Sequence, residues 1–197
     1  MKRYYSEREG LFKGFLYHLY NEGLLELINV TSSGHVQDRV VSNIVNFTSG
    51  SNIWTSESNP EYGQWAMIEL KNHFIDISSY AIGYSRVNHP RSWDFSISMD
   101  GINWKIMHSL RESLVLNGTK GVIFKVKRYT ARYLKWTNRG YNSDNRHFYV
   151  DNVDVYGNVI RCDEDCTLFP HFINSCNHCN VKKSNQIYYY FLILLSK

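Results

Sequence analysis

The sequence predicts an all-β fold, a jelly-roll β-sandwich of about eight strands with a short N-terminal helix. Three observations predict it. Short stretches with large apolar side chains at every second position recur along the chain, the spacing of strands with one buried face. Between them lie clusters of Asn, Ser and Gly that read as turns, with only three prolines in 197 residues. Finally, 15 Tyr, 10 Phe and 5 Trp favour strands and wide packed layers.

Taken in order, Leu11, Phe12, Phe15, Leu16, Leu19 and Tyr20 fall at helical spacing, with Gly14 inside the run and Gly23 as a C-terminal cap. Alternation through Leu25, Leu27 and Asn29 gives a first strand that ends near Ser32-Ser33-Gly34. Residues His35 to Asn52 are polar and read as a long surface connection. Trp54-Thr55-Ser56 is a short extended piece, and Gln64–Leu70 is apolar enough for a central strand. Tyr80–Tyr84 is another, leading into the loop Ser85–Ser92.

The clearest signal is the hairpin from Trp93 to Ile106. Trp93, Phe95, Ile97 and Met99 alternate with Asp94, Ser96 and Ser98, predicting one buried and one polar face. Asp100-Gly101 supplies the turn, and Trp104 and Ile106 resume the alternation on the return strand. Val122–Val126, Tyr133–Trp136 and Tyr149–Tyr156 complete the strands, the last stopping at Gly157.

Several classes of function are excluded or disfavoured by the same residues. The chain carries no Gly-x-Ser-x-Gly, no His-Glu-x-x-His, no phosphate-binding Gly-rich loop and no dinucleotide fingerprint, so no enzyme is expected. Asp151 and Asp154 differ by three and point to opposite faces of a strand, a poor acid–base pair. Net charge is only +4. Basic residues do gather with aromatics between Lys125 and Arg146, but they follow strand parity, which weighs against nucleic acid. MKRYYSEREG has no apolar signal core, and no run reaches the roughly 20 apolar residues of a membrane span. A cytoplasmic location is therefore expected. All four cysteines lie near the C-terminus. Cys162-x3-Cys166 and Cys176-x2-Cys179 have spacings that could hold zinc, but only nine residues separate the pairs. A weakly constrained tail is the plainer reading, and no metal is expected.

Phe12-Lys13-Gly14, the Ser32-Ser33 strand end, Trp54-Thr55-Ser56, Gln64-Trp65, His89-Pro90 with Trp93, and Ser98-Met99-Asp100-Gly101 with Trp104 occur in an order that resembles the discoidin family. This is the coagulation factor V/VIII type C domain, with a galactose-binding-domain-like jelly roll. The resemblance runs over residues 11–159, leaving 1–10 as an extension and 160–197 as a tail. It is closest to cysteine-free intracellular members, often joined to BTB domains. The resemblance implies non-enzymatic ligand binding by loops at one end of the sandwich. Three stretches would form that rim: Ser49–Asn59, Ser85–Ser92 and Thr137–His147. Candidate contacts are Arg86, Asn88, His89, Arg91, Arg139, Tyr141, Asn142 and Arg146, whose amides, guanidinium forks and aromatic face suit vicinal hydroxyls or carboxylates. Asn and Arg are also ordinary solvated loop residues. Some carbohydrate-binding relatives hold calcium in the first loop. Thr48-Ser49-Gly50-Ser51-Asn52 offers no carboxylate, so no cofactor is expected. The ligand is read as a carbohydrate or a protein. The alternative, resting on the resemblance alone, is a protein-interaction module for substrate recognition in an intracellular, BTB-type ubiquitin-ligase adaptor.

Overall fold

The chain enters its fold through a strand without an alternating pattern, β1 (Arg3–Tyr5), which pairs antiparallel with Val159, Asn158 and Gly157. Residues 1–10, expected as an extension, thus add an edge strand. The computed structural model describes residues 3–48, 53–57, 63–83, 88–117, 119–140 and 147–161. The four cysteines of the candidate zinc pairs, Cys162, Cys166, Cys176 and Cys179, lie outside them, as does all of the tail beyond Arg161.

Helix α1 (Phe15–Asn21) buries Phe15, Leu16 and Leu19, and starts later than the periodicity predicts. Gly14 is its N-cap rather than an interior weak point. A Cβ there would lie 2.4 Å from the Val155 carbonyl oxygen, so only glycine permits this approach. At the other end Gly23 takes φ +72°, while Leu24 N–H donates to Leu19 O and Gly23 N–H to Tyr20 O. That double reversal is the glycine-closed helix end expected from the sequence.

Among the described residues the remaining strands are β2 (Ile28–Ser32), β3 (Trp54–Thr55), β4 (Trp65–Leu70), β5 (His73–Gly83), β6 (Trp93–Ser98), β7 (Lys105–Leu110), β8 (Gly121–Ala131), β9 (Tyr133–Asn138), β10 (Tyr149–Val150) and β11 (Asn152–Arg161). They form a four-stranded sheet in the order β1-β11-β5-β8, a five-stranded sheet β2-β4-β9-β6-β7, and a small β10-β3 pair, all antiparallel. The protein is an all-β jelly-roll sandwich. Leu25 and Leu27, predicted as strand, form a 3-10 turn instead. Val41–Val45, predicted as surface loop, is another such turn, and it buries Ile44 and Val45.

Two bulges explain where strand limits depart from expectation. β5 is eleven residues long, beginning at His73 rather than Tyr80. A register shift between Ile77 and Ser79 breaks the alternation, so Ile75 and Ile77 face the core and then Tyr80 and Ile82 do. β11 runs past Gly157, its predicted stop, because Gly157 (φ +150°) sits at a second shift and lets pairing resume through Arg161.

The core lies between the two main sheets. Trp93, Phe95 and Ile97 of β6 and Leu134 and Trp136 of β9 meet Tyr80 and Ile82 of β5 and Val153 and Val155 of β11, all buried. Burial of each large side chain contributes roughly 1.5–3 kcal/mol. Tyr80 stacks on Phe95 at 4.2 Å and on Phe124 at 5.3 Å between ring centroids. Trp93 Nε1–H donates to the Tyr80 oxygen at 3.0 Å, and Tyr80 O lies 2.7 Å from His108 Nδ1. An indole can only donate, so the Tyr80 oxygen accepts from Trp93 and its own O–H is left to donate to a neutral His108 that carries its hydrogen on Nε2. Burial lowers the His108 pKa, in keeping with that state.

The hairpin departs from the sequence expectation in two respects. Alternation predicts a polar, open face for β6, yet Asp94, Ser96 and Ser98 are buried too. It is an inner strand, flanked by β9 and β7, and Lys135 and Ile106 lie on either side of Ser96. The return strand carries a bulge opposite Phe95/Ser96, so Ile106 turns outward at 54% exposure and His108 turns inward. Trp104 is half-buried, with Lys135 Nζ 3.6 Å from its ring centroid, a cation–π contact rather than core packing. The turn itself is organised by Asp100. Its carboxylate accepts N–H from Ile102 and Asn103, the Asn103 side-chain amide and the Ser98 hydroxyl. These bonds, Asn103's above all, hold the carboxyl well below the usual range.

Candidate functional site

One end of the sandwich is defined by strand ends. Trp93, at the start of β6, pairs with Asn138 at the end of β9 and Leu110 at the end of β7, while β4 begins at Trp65 opposite Thr137. In the facing sheet, Gly83 at the end of β5 pairs with Asn152 and Gly121, where β11 and β8 begin. The connections after β5, β7 and β9 therefore leave from this end; those after β5 and β9 carry the stretches Ser85–Ser92 and Thr137–His147 that the resemblance implies, and the one after β7 is not among them. Of the candidate contacts, Arg86, Tyr141, Asn142 and Arg146 lie outside the described residues.

Asn88, His89, Arg91 and Arg139 are described, and they differ. His89 is 7% exposed, buried beside Pro90 at the foot of its loop, and Asn88 is half-buried. Arg91 is half-buried, and its Nε is a buried donor with no acceptor among the described residues. Its carbonyl accepts Ser113 N–H at 2.8 Å. Ser92, next along, joins three connections at once. Its carbonyl accepts Arg139 N–H at 3.0 Å and its hydroxyl accepts Glu112 N–H at 2.8 Å. A Cβ on Gly140 would sit 2.9 Å from that hydroxyl, so a side-chain-free residue is needed there. Ser56 ties the first loop to the third. It exchanges backbone and side-chain bonds with Phe148, and its carbonyl accepts Nδ1–H of His147 at 2.9 Å.

Arg139, a free contact in the sequence-based expectation, is engaged. Its Nε–H donates to Asp94 Oδ2 at 2.7 Å. Arg111 Nη1 lies 2.9 Å from Asp94 Oδ1, and Ser109 donates its hydroxyl proton to the same oxygen at 2.7 Å. Asp94 is 1% exposed, while the two guanidinium side chains are 51% (Arg111) and 43% (Arg139) exposed. Burial pushes the Asp94 carboxyl up, but the Ser109 hydroxyl and the two arginines outweigh it and hold it below the usual carboxylate range. Arg139 also opposes the charge on Lys135, whose pKa is lowered first by burial and then by that repulsion. The hairpin pattern places Asp94 and Ser109 on paired strands. That Arg111 and Arg139 close over Asp94 has no local signal in the sequence.

The basic stretch from Lys125 is divided between the sheets. Lys125 and Arg128 stand on β8, 3.6 Å from Glu7 and Asp76 respectively, whereas Arg132 and Lys135 belong to the five-stranded side, with Arg132 bonded to Glu69 at 2.9 Å. These cations do not form one surface. Among the described residues no group of three or more His, Cys, Asp or Glu could hold a metal ion, and no helix is long and apolar enough to cross a membrane.

No family model matches the chain, and no curated protein matches it. Solved structures do. A chitosan-binding module from a Paenibacillus sp. IK-5 chitosanase/glucanase superposes with a TM-score of 0.56 at 15% identity, over 66% of this chain and 96% of its own. The CBM32 module CpGH89CBM32-5 of Clostridium perfringens, solved with GalNAc-β-1,3-galactose, gives 0.56 at 15% identity, over 67% and 96%. The CBM32 module of AlyQ, solved with 4,5-unsaturated mannuronic acid, gives 0.52 at 19%, over 65% and 93%. Nearly the whole of each neighbour is covered, and the likeness is one of fold: galactose-binding-domain-like.

Proposed function

We propose that this chain is a non-catalytic carbohydrate-binding module of the discoidin kind that takes its ligand at the loop end of the sandwich. The observation that carries the proposal is Ser92. By bonding the bases of three connections together, it makes a fixed platform for side chains that hydrogen-bond hydroxyls and carboxylates. The structural neighbours support it, because they are carbohydrate-binding modules of the same fold and the ligands solved with two of them are saccharides. Residues 11–159 with the edge strand β1 would form the binding unit. Arg91 and Arg139 are the described candidates for contact; Arg86, Tyr141, Asn142 and Arg146, outside the described residues, remain candidates on the sequence resemblance. Asn88 and the buried His89 would hold the loop's shape.

The test is a glycan array with the purified chain, with and without calcium, followed by calorimetry on each hit. Retention of a defined saccharide class is expected, weakened roughly ten- to hundredfold by Arg91→Ala, the loss of a charged hydrogen bond worth about 1.5–3 kcal/mol. Failure to retain any glycan while the protein remains folded would sink the reading.

A further inference from the structure

We infer that the saccharide is anionic, its carboxylate received by the paired guanidiniums of Arg111 and Arg139. This rests on the carbohydrate reading above and narrows the ligand to uronic-acid sugars. Asp94 fixes each arginine through a single nitrogen, Nε of Arg139 and Nη1 of Arg111. Nη1 of Arg111 also donates to the carbonyls of Leu110 and Trp93. Both terminal nitrogens of Arg139, and Nε and Nη2 of Arg111, carry no hydrogen-bond partner among the described residues, and both side chains are about half exposed. Two guanidiniums are thus held in advance by Asp94, on half-exposed side chains that keep donors unbonded among the described residues.

The charge count points to the ligand class. One buried carboxylate, Asp94, stands against Arg111 and Arg139, with Lys135 close enough for Arg139 to disfavour its charge. Three cations against one anion leave a surplus of two. The exposed Glu112, next to Arg111 in the chain, reduces that surplus to one without entering the Asp94 cluster. A neutral sugar hydroxyl can accept from a guanidinium but neutralises nothing. A carboxylate does both, and its two oxygens match the planar fork. Arg91, on the loop base that Ser92 joins to Arg139 and to Glu112, the residue after Arg111, adds a further cation to the rim. Electrostatic attraction of this kind falls with salt.

Calorimetry would use the intact chain with oligogalacturonide, its methyl-esterified counterpart, a neutral galactan oligosaccharide, and inorganic phosphate as a free anion. The acidic oligosaccharide is expected to bind at least tenfold more tightly than the ester or the galactan, with an affinity that declines as salt rises. Arg111→Gln and Arg139→Gln are each expected to reduce that affinity tenfold or more, and Arg111→Lys to restore only part of it. The ester comparison needs no variant, so it holds even where a substitution unfolds the protein. Equal binding of ester and acid overturns the inference and leaves the carbohydrate reading standing. Binding of phosphate without any saccharide, or of no probe at all, overturns the inference; the carbohydrate reading falls only if the glycan array is blank as well.

Discussion

Asp154 Oδ2 accepts the backbone N–H of Gly14 at 2.6 Å, across 140 positions of sequence. Oδ1 of the same side chain accepts N–H from Leu16, Tyr17 and Val155, at 2.9, 3.4 and 2.9 Å. A fully buried strand carboxylate thereby serves as the N-terminal cap that Gly14, lacking a side chain, cannot provide for helix α1.

Replacing that cap should be costly. Asp154→Ala is expected to destabilise the fold by about 2–4 kcal/mol, the sum of a lost cap and buried donors left without an acceptor. Urea unfolding measures it, and a loss below about 0.5 kcal/mol, the level of an ordinary surface change, would show the cap to be dispensable.

The same carboxyl gives a pH signature. Burial pushes it up to about 7 despite four N–H donors. A pKa above the unfolded value means that its stability contribution is complete below the ordinary carboxylate value of 3.8 and is lost as pH rises towards 7. Asp154→Asn removes this titration. The stability of the native protein relative to that variant should therefore fall between about pH 4 and pH 7. A difference that stays flat or rises across the window would contradict it.

In acid the sign reverses. The His108 pKa is lowered by burial, and Asp94 is lowered because its hydroxyl and guanidinium partners outweigh burial. Stability from each is present above its unfolded pKa and lost as pH falls, starting near 6.5 for His108 and below 3.8 for Asp94. Tyr80→Phe deprives Trp93 Nε1–H of its acceptor and His108 of its donor, at a cost of about 1–3 kcal/mol. It should also raise the midpoint of the His108 titration followed by NMR. An unmoved midpoint would remove Tyr80 from this account.

Gly157 tests the bulge. A Cβ there would lie 2.1 Å from the Asp76 carbonyl oxygen, at φ +150°. Gly157→Ala should cost about 2–4 kcal/mol through overpacking and backbone strain. Thermal melting reads the loss, and a variant as stable as the parent would mean that the register does not depend on this glycine.

How much is legible from the sequence depends on distance along the chain. The turn from Ser98 to Trp104 can be read because Asp100 bonds only to residues within three positions of it. Alternation assigns Ile106 to the wrong face because one extra residue in β7 inverts the parity of its neighbours along the strand. It misses the length of β5 for the same reason at Ile77/Ser79. For the site, the loops follow from the family resemblance and not from alternation, and neither signals that Asp94 holds Arg139 or that Arg111 joins them.

The sequence by itself determined the class of fold, the glycine-closed helix end, the aromatic core and the hairpin that Asp100 organises. These arise from side-chain period and from bonds closed within one turn of chain, where spacing alone decides which groups meet. Only the tertiary structure decided that Asp154 caps a helix begun at the other end of the chain, that Ser92 fastens three connections, and that Arg111 and Arg139 converge on Asp94. Those pairings depend on strand order and register across two sheets, and each bulge resets the register without changing the composition that a sequence displays.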